Sequence, residues 1–420
     1  MLFYLFEFLE SQYDLPGAGL FRYVSFRSAM AIVTALIVSV AWGDRIISSL
    51  KSMQIGESIR DLGLDGQAEK EGTPTMGGLI IVLAVVIPSL LFAKLDNVYI
   101  QIVLLSTVWM AAVGAIDDYI KVFKGNKAGL KSRFKILGQV SLGIFVGAMM
   151  FWHPDIVVRV SHEKAIEEGY RIVSVRDIEV SQGDQTVTER VANVQTGVTN
   201  IPFIKGNSFN YRDVVFFLDK NKETLYWILF IPLVVFIITA ISNGANLTDG
   251  LDGLAAGSSA IIVTTLAIFA YVSSNLQFAG YLDILYLPGS EELVIFSAAL
   301  IGACVGFLWF NSYPARVFMG DTGSLALGSI IATLAILLRK ELLLPVLCGV
   351  FVIETFSVVL QVGYFKYTKK KHGVGRRIFL MSPIHHHFQK LGMHEAKIVT
   401  RFWIVGVLLA IFTVVTLKIR

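Results

Sequence analysis

The sequence predicts an all-α polytopic membrane protein of ten transmembrane helices, with both termini outside and a small β-rich extracytoplasmic insertion. Three observations lead there. Hydrophobic residues make up 55% of the 420, and the mean hydropathy is +0.66. Charged residues make up only 16%, against about 25% in soluble globular chains. The apolar residues fall into runs close to the roughly 20 that carry a helix across a bilayer.

The runs are 24–42, 75–93, 98–116, 134–151, 224–243, 254–274, 293–310, 322–338, 342–364 and 399–418. Orientation follows from Lys and Arg in short loops, which accumulate on the cytoplasmic side. Loops 43–74, 117–133, 244–253, 311–321 and 365–398 together hold 18 basic residues. The short segments on the other side hold six: Arg22, Lys94, Arg339, Lys340, Lys418 and Arg420. The first set is therefore read as cytoplasmic. The chain divides into spans 1–4 with their loops (1–151), an extracytoplasmic insertion (152–223) and spans 5–10 with their loops (224–420).

The opening "MLFYLFEFLE" lacks a basic n-region and a small-residue cleavage site, so no cleavable signal is expected. Cys304 and Cys348 both lie in apolar runs, which argues for packing and against a disulfide framework. A net charge of +4 is too small and dispersed for a nucleic-acid partner. Within the insertion, "YRIVSVRDIEV" and "TVTERVANVQ" alternate apolar and polar residues, the pattern of short half-buried strands.

Polar motifs interrupt the apolar pattern at five places. "KEGTPTMGG" (Lys70–Gly78) opens span 2, "IDDY" (Ile116–Tyr119) closes span 3 and "NLTDGLDG" (Asn246–Gly253) opens span 6. "NSYPARVFMGDTGSL" (Asn311–Leu325) joins spans 7 and 8, and "SPIHHHF" (Ser382–Phe388) lies between spans 9 and 10. All five fall on the cytoplasmic side. Spans 2, 6 and 8 point their positive N-termini at that surface, and such ends attract phosphate through free N–H groups. Thr73-Pro74 reads as an N-cap followed by a first-turn proline. Asp117 and Asp118 stand where a helix dipole repels negative charge, so the pair seeks a cation, and oxygen ligands suit Mg²⁺. Together these features describe phosphoryl transfer at a membrane surface.

Each motif also has a plainer reading. Asp249 and Asp252 are reasonable turn residues, Asp321 a reasonable N-cap of span 8, and His385-His386-His387 a polar loop whose spacing does not suit zinc. "DGLDG" lacks the ligand spacing of an EF-hand. Glu354 and Gln361 are seven residues apart and share a face of span 9. Interhelical hydrogen bonding is the better reading of Glu354, while Gln361, near the cytoplasmic end, is placed to line the site.

The set "GTPTMGG", "DD", "NLTDGLDG", "FMGDTGSL" and "MSPIHHHF" resembles the polyprenyl-phosphate N-acetylhexosamine-1-phosphate transferase superfamily. More narrowly it is similar to the phospho-N-acetylmuramoyl-pentapeptide transferases (translocase I) of bacterial peptidoglycan synthesis. The likeness runs from about Phe21 to Arg420 and leaves out the middle of the insertion. The chain departs from the family pattern at Gln389, where Glu is usual, at Met393, where Trp is usual, and in the length of the insertion.

The resemblance implies a reaction in which undecaprenyl phosphate attacks UDP-N-acetylmuramoyl-pentapeptide, forming lipid I and releasing UMP. It also implies roles. Asp321 is the foremost Mg²⁺ ligand with Asp249 beside it, and Asp117, Asp118, Asp321 and His386 are catalytic. Lys70, Thr75, Asn246, Asp249, Asp252, Asn311 and Gly320 surround the nucleotide, Phe318 stacks on uracil, and His385, His386 and His387 meet the pyrophosphate or sugar. Gln361 completes the substrate-binding set. The expected setting is the bacterial inner membrane, multi-pass, with the site on the cytoplasmic face, the bilayer as partner and room for a homodimer. Two other readings are a sister transferase using UDP-N-acetylglucosamine and a secondary transporter. The transporter would need mid-bilayer ionisable residues and repeated halves, and the sequence has no internal repeat.

Overall fold

The computed structural model describes residues 1–53, 70, 72–124, 126, 129–182, 185–201, 208–215 and 226–417. Most of the 43–74 loop, part of the insertion, and Lys418 and Arg420 lie outside them. The helices before the insertion are α1 (Leu2–Tyr13), α2 (Val24–Met53), α3 (Gly78–Phe92), α4 (Val98–Phe123) and α5 (Ser132–Trp152). The insertion holds β1 (Val158–Ser161), α6 (His162–Glu167), β2 (Arg171–Gln182), β3 (Gln185–Gln195), β4 (Val198–Asn200), β5 (Ser208–Asn210) and α7 (Tyr211–Val215). After it come α8 (Trp227–Thr248), α9 (Leu254–Ser273), α10 (Leu276–Leu282), α11 (Glu292–Asn311) and α12 (Gly320–Leu337). The chain continues through α13 (Leu344–Leu347), α14 (Gly349–His372), α15 (Ile384–Lys390) and α16 (Glu395–Thr416).

Nine helices among the described residues are long and apolar enough to cross a membrane. The remaining expected span, 75–93, is the 15-residue α3, with Pro88 inside it. Thr73 and Pro74 do not cap it. The chain from Pro74 to Gly78 instead runs beside 318–319, with Phe318 N–H donating to Pro74 C=O, and Gly77 and Gly78 N–H donating to Phe318 and Met319 C=O (2.8 Å each). That pairing delays the helix to Gly78. At the far end of α3, Arg27 donates to the Phe92 carbonyl (3.0 Å) and pairs with Glu292 through both guanidinium nitrogens (2.8 and 2.7 Å). A buried charge needs such a partner, and here the pair also terminates the short helix. α1 was not anticipated, because twelve residues are too few for a span.

α12 is the axis of the bundle. Every residue from Asp321 to Leu337 is buried, and α3, α4, α8 and α9 pack around it. Its start carries the polar motifs. Just past its end, Arg339 C=O accepts from Asn200 N–H and from Thr199 Oγ1 (3.0 Å each), and Lys340 bonds the Asn200 side chain. Motifs and insertion therefore sit at opposite ends of an 18-residue helix, about 27 Å apart.

The two alternating stretches of the insertion are the antiparallel pair β2 and β3, with β1 on the other side of β3. They are longer than the short strands expected, and β2 from Arg171 to Arg176 is largely exposed. At the base of the ribbon Val191, Ala192 and Val194 are buried. Cys304 and Cys348 are free and buried, as their apolar surroundings implied.

Candidate active site

Asp117 and Asp118 lie on α4, which continues past them to Phe123, so they occupy its last turns and not its end. Asp321 lies in the first turn of α12. One carboxylate oxygen from each of the three falls within 4.8 Å of the others. Glycines permit this approach. A Cβ at Gly114, one turn before Asp118, would lie 2.2 Å from the Asp321 carbonyl, and one at Gly78 would lie 2.1 Å from Gly323 N. Helices α3, α4 and α12 thus meet backbone to backbone, the packing that small residues allow.

The three carboxylates have different partners. Asp118 accepts from Asp321 N–H (3.1 Å), Thr322 N–H (2.9 Å) and the Thr322 hydroxyl (2.6 Å). Asp321 accepts from Asn246 Nδ2 (2.9 Å) and pairs with Lys135 (2.5 Å) and Lys121 (3.3 Å). Asp117 pairs with Lys121 and with Lys135 (2.9 Å) and accepts from Leu130 N–H (2.7 Å). Gly320 has φ 72°, and a Cβ there would sit 2.7 Å from Asp118 and 2.9 Å from the Thr75 hydroxyl, so only glycine fits. Asp249 caps α8 and accepts a backbone hydrogen bond from Gly320. Burial, then the charges of Asp321, Asp118 and Asp252, push its carboxyl up to about 8. The described group suited to a metal is thus Asp117, Asp118 and Asp321. Asp249 was expected to accompany Asp321, but it is aimed at Gly320.

One expectation needs correcting. The N-termini of α3 and α12 are not open anion cradles. Their leading amides are bonded from within, by Phe318 and Met319 carbonyls at α3 and by Asp118 at α12, while at α9 Asn311 Oδ1 takes the Gly253 N–H. A buried helix end must satisfy its first donors, and the protein supplies acceptors itself.

Beside the aspartates, Lys70 bridges Asp252 and Glu395 (2.7 Å each) and lies 5.9 Å from the centre of the Phe318 ring. Burial opposes its charge, but Asp252 and Glu395 outweigh it and hold the ammonium above its ordinary range. The other Asp252 oxygen accepts from Ala315 N–H (2.9 Å). Asn311 is a brace, accepting from Gly253 N–H (3.0 Å) and donating to Val317 C=O (2.9 Å).

The histidines form part of a short helix, α15, where the sequence suggested a loop. His385 is fully buried, with Nδ1 3.0 Å from Glu354, an interhelical ion-pair contact where an interhelical hydrogen bond was expected. His386 Nδ1 lies 2.7 Å from Gln389 Oε1. Burial, then His385 and Lys70, hold its pKa down at about 4. His387 Nδ1 accepts from Leu380 N–H (3.2 Å). Gln361 bonds the backbone of Ile378 and Phe379 through both ends of its amide (3.0 Å each), so it holds the loop before α15 and its polar atoms do not face the aspartates.

Sequence reasoning missed Lys121, Lys135 and Glu395. Lys121 was findable, because it stands one helical turn after Asp117. Lys135 and Glu395 each open a span whose first turn looked merely polar, and only the fold brings them here.

Comparison with known proteins bears on this geometry. The model for glycosyl transferase family 4 matches residues 186–339, and phospho-N-acetylmuramoyl-pentapeptide-transferase signature 1 matches residues 70–82, the stretch holding Lys70 and Thr75. The phospho-N-acetylmuramoyl-pentapeptide-transferase of Flavobacterium psychrophilum is 54% identical over 420 residues, covering all of both chains. Those of Amoebophilus asiaticus (54% over 420 residues) and Parabacteroides distasonis (53% over 438) also match along the whole of both chains. The chain belongs to the phospho-N-acetylmuramoyl-pentapeptide-transferase family. Within that family the site offers what a hard cation needs, three converging carboxylates of the oxygen-donor kind that suits Mg²⁺. Lys121 and Lys135 neutralise the same oxygens.

Proposed function

We propose that the end of the bundle around Asp117, Asp118 and Asp321 transfers phospho-N-acetylmuramoyl-pentapeptide from UDP-N-acetylmuramoyl-pentapeptide to undecaprenyl phosphate. A phosphate oxygen of the lipid forms a bond to the β-phosphorus of the donor, the β-phosphorus–oxygen bond to UMP breaks, and lipid I and UMP result. The observation that carries this reading is the meeting of three buried carboxylates with Lys121 and Lys135, in a chain of this family. Basic residues concentrated in the loops at this end support a cytoplasmic orientation, with ten spans counting α3, both termini outside and a bacterial inner-membrane location.

The lipid phosphate needs little general base, since its second pKa is near 6. What the reaction needs is neutralisation of converging negative charge and in-line alignment. Asp321 and Asp117 would hold Mg²⁺, which would supply charge neutralisation for the reacting phosphates. Asp118 acts behind them by fixing the start of α12. Lys121 and Lys135 bring positive charge to the same oxygens, and Lys70 does so beside the Phe318 ring, which offers a face for uracil. Neutral His386 gives its one N–H to Gln389 Oε1, so its Nε2 is an acceptor, suited to a hydroxyl on the sugar side of the donor. The test uses purified protein, undecaprenyl phosphate, Mg²⁺ and each UDP-sugar in turn. UMP is expected only from the muramoyl-pentapeptide donor. Release only from UDP-N-acetylglucosamine would assign the sister reaction.

A further inference from the structure

Glu354 lies on α14, and neither its side chain nor that of His385 has any exposed surface. Glu354 Oε2 is 3.0 Å from His385 Nδ1, an ion-pair distance, and among the described residues neither carboxylate oxygen has a hydrogen bond of good geometry. A buried carboxylate with a single partner depends on that partner. The opposite edge of the His385 ring presses on Gly250: a Cβ at Gly250 would lie 2.3 Å from Nε2. Gly250 stands between Asp249, which holds Gly320, and Asp252, which holds Lys70. The same ring packs against His386, with centres 4.1 Å apart and planes at 65°.

We propose that Glu354 is a positioning residue for the transfer. It orients the His385 ring, and that ring sets both the 249–252 turn and His386 against the aspartates. The idea rests on the proposed function, since it assumes that this turn and α15 belong to the site. It differs from a merely stabilising ion pair, because the ring has work on three sides: Glu354, Gly250 and His386. The tautomer follows from the pairing. The nitrogen facing a carboxylate carries the proton, which puts a proton on Nδ1 of His385, and its Nε2 edge is the one that fits closely over Gly250.

The test compares Glu354→Met, Glu354→Gln and Gly250→Ala in the full-length protein, with UMP release normalised to folded enzyme and thermal unfolding recorded beside it. Glu354→Met removes the acceptor and is expected to lower kcat by about 10- to 100-fold, the range for losing a carboxylate that orients a functional histidine, with the KM of the donor changed less. Glu354→Gln keeps an acceptor oxygen and is expected to restore most of kcat. Gly250→Ala, which displaces the ring from its other side, should lose kcat like Glu354→Met. Wild-type kcat in folded Glu354→Met, or equal loss in Met and Gln variants, would overturn the proposal. The ¹⁵N shifts of His385 give a readout that does not need turnover: Nδ1-protonated in the wild type, a tautomer mixture in Glu354→Met. Absence of UMP release from the wild type would sink the function, while an unchanged tautomer in Glu354→Met would sink the positioning role.

Discussion

Asp118 caps the helix that carries Asp321. Its carboxylate takes the amides of Asp321 and Thr322 and the Thr322 hydroxyl, so one aspartate of the "DD" pair spends its oxygens holding another aspartate in place. Asp118→Ala leaves those buried donors unsatisfied and is expected to lower stability by about 2 kcal/mol or more, besides abolishing turnover. Thermal unfolding in detergent checks this. A wild-type melting temperature for Asp118→Ala would show that the cap does not hold α12.

The Lys70 corner predicts a binding defect. Asp252 positions Lys70 and the Ala315 amide, so Asp252→Asn weakens a charged contact without touching the three-carboxylate group. The KM of the UDP-donor should rise by about 10-fold or more, the effect of one lost charge-assisted hydrogen bond, and added Mg²⁺ should recover little of it. A defect in kcat with unchanged KM would move Asp252 into the chemistry.

His386 is held neutral, with a pKa of about 4, by burial and by its neighbours His385 and Lys70. Gln389→Glu places a carboxylate where the amide oxygen lies 2.7 Å from Nδ1. An adjacent negative charge favours imidazolium, so the His386 pKa should move upward toward the ordinary histidine range. Titration by NMR reads it directly. An unchanged or lower pKa would contradict the contact.

Much of this candidate site was legible in the sequence, because the membrane makes buried charge costly, so polar clusters at the ends of spans stand out. Asp117, Asp118, Asp321, Asn246 and Asp249 were found that way, and the fold brings them together. The start of α3 was misjudged because Thr73-Pro74 obeys local capping rules, while a tertiary pairing with Phe318 and Met319 overrides them. The phosphate-cradle reading of the helix ends failed for a related reason. Composition shows that an N-terminus is positive, but not that Asp118 already occupies it. Gln361 was placed on the right face of its helix, yet its amide is consumed by the backbone at Ile378 and Phe379. Lys135 and Glu395 could not be read from local pattern, since Lys135 meets Asp321 across 186 residues and Glu395 meets Asp252 across 143.

The outer ribbon of β2 and β3 is far from the aspartates along α12. Its base is buried, and Thr199 and Asn200 beyond it hold Arg339, so removing all of 160–200 would strip the bundle of packing. Replacing only 178–189 with a tight turn keeps the Asp177–Arg190 register and should leave turnover unchanged. Loss of UMP release in this shortened, folded protein would give the ribbon a functional role.

The most direct test of the central claim is UMP release by Asp321→Asn across a Mg²⁺ titration. Asn keeps the shape and a hydrogen-bonding oxygen but loses the charge that holds a hard cation. Turnover should fall by about 10²-fold or more, because phosphoryl transfer depends on electrostatic stabilisation more than on proton transfer. Raising Mg²⁺ should recover part of it by mass action. If Asp321 were only a helix-end residue, Asn would serve nearly as well. Near-normal turnover in Asp321→Asn would contradict the account.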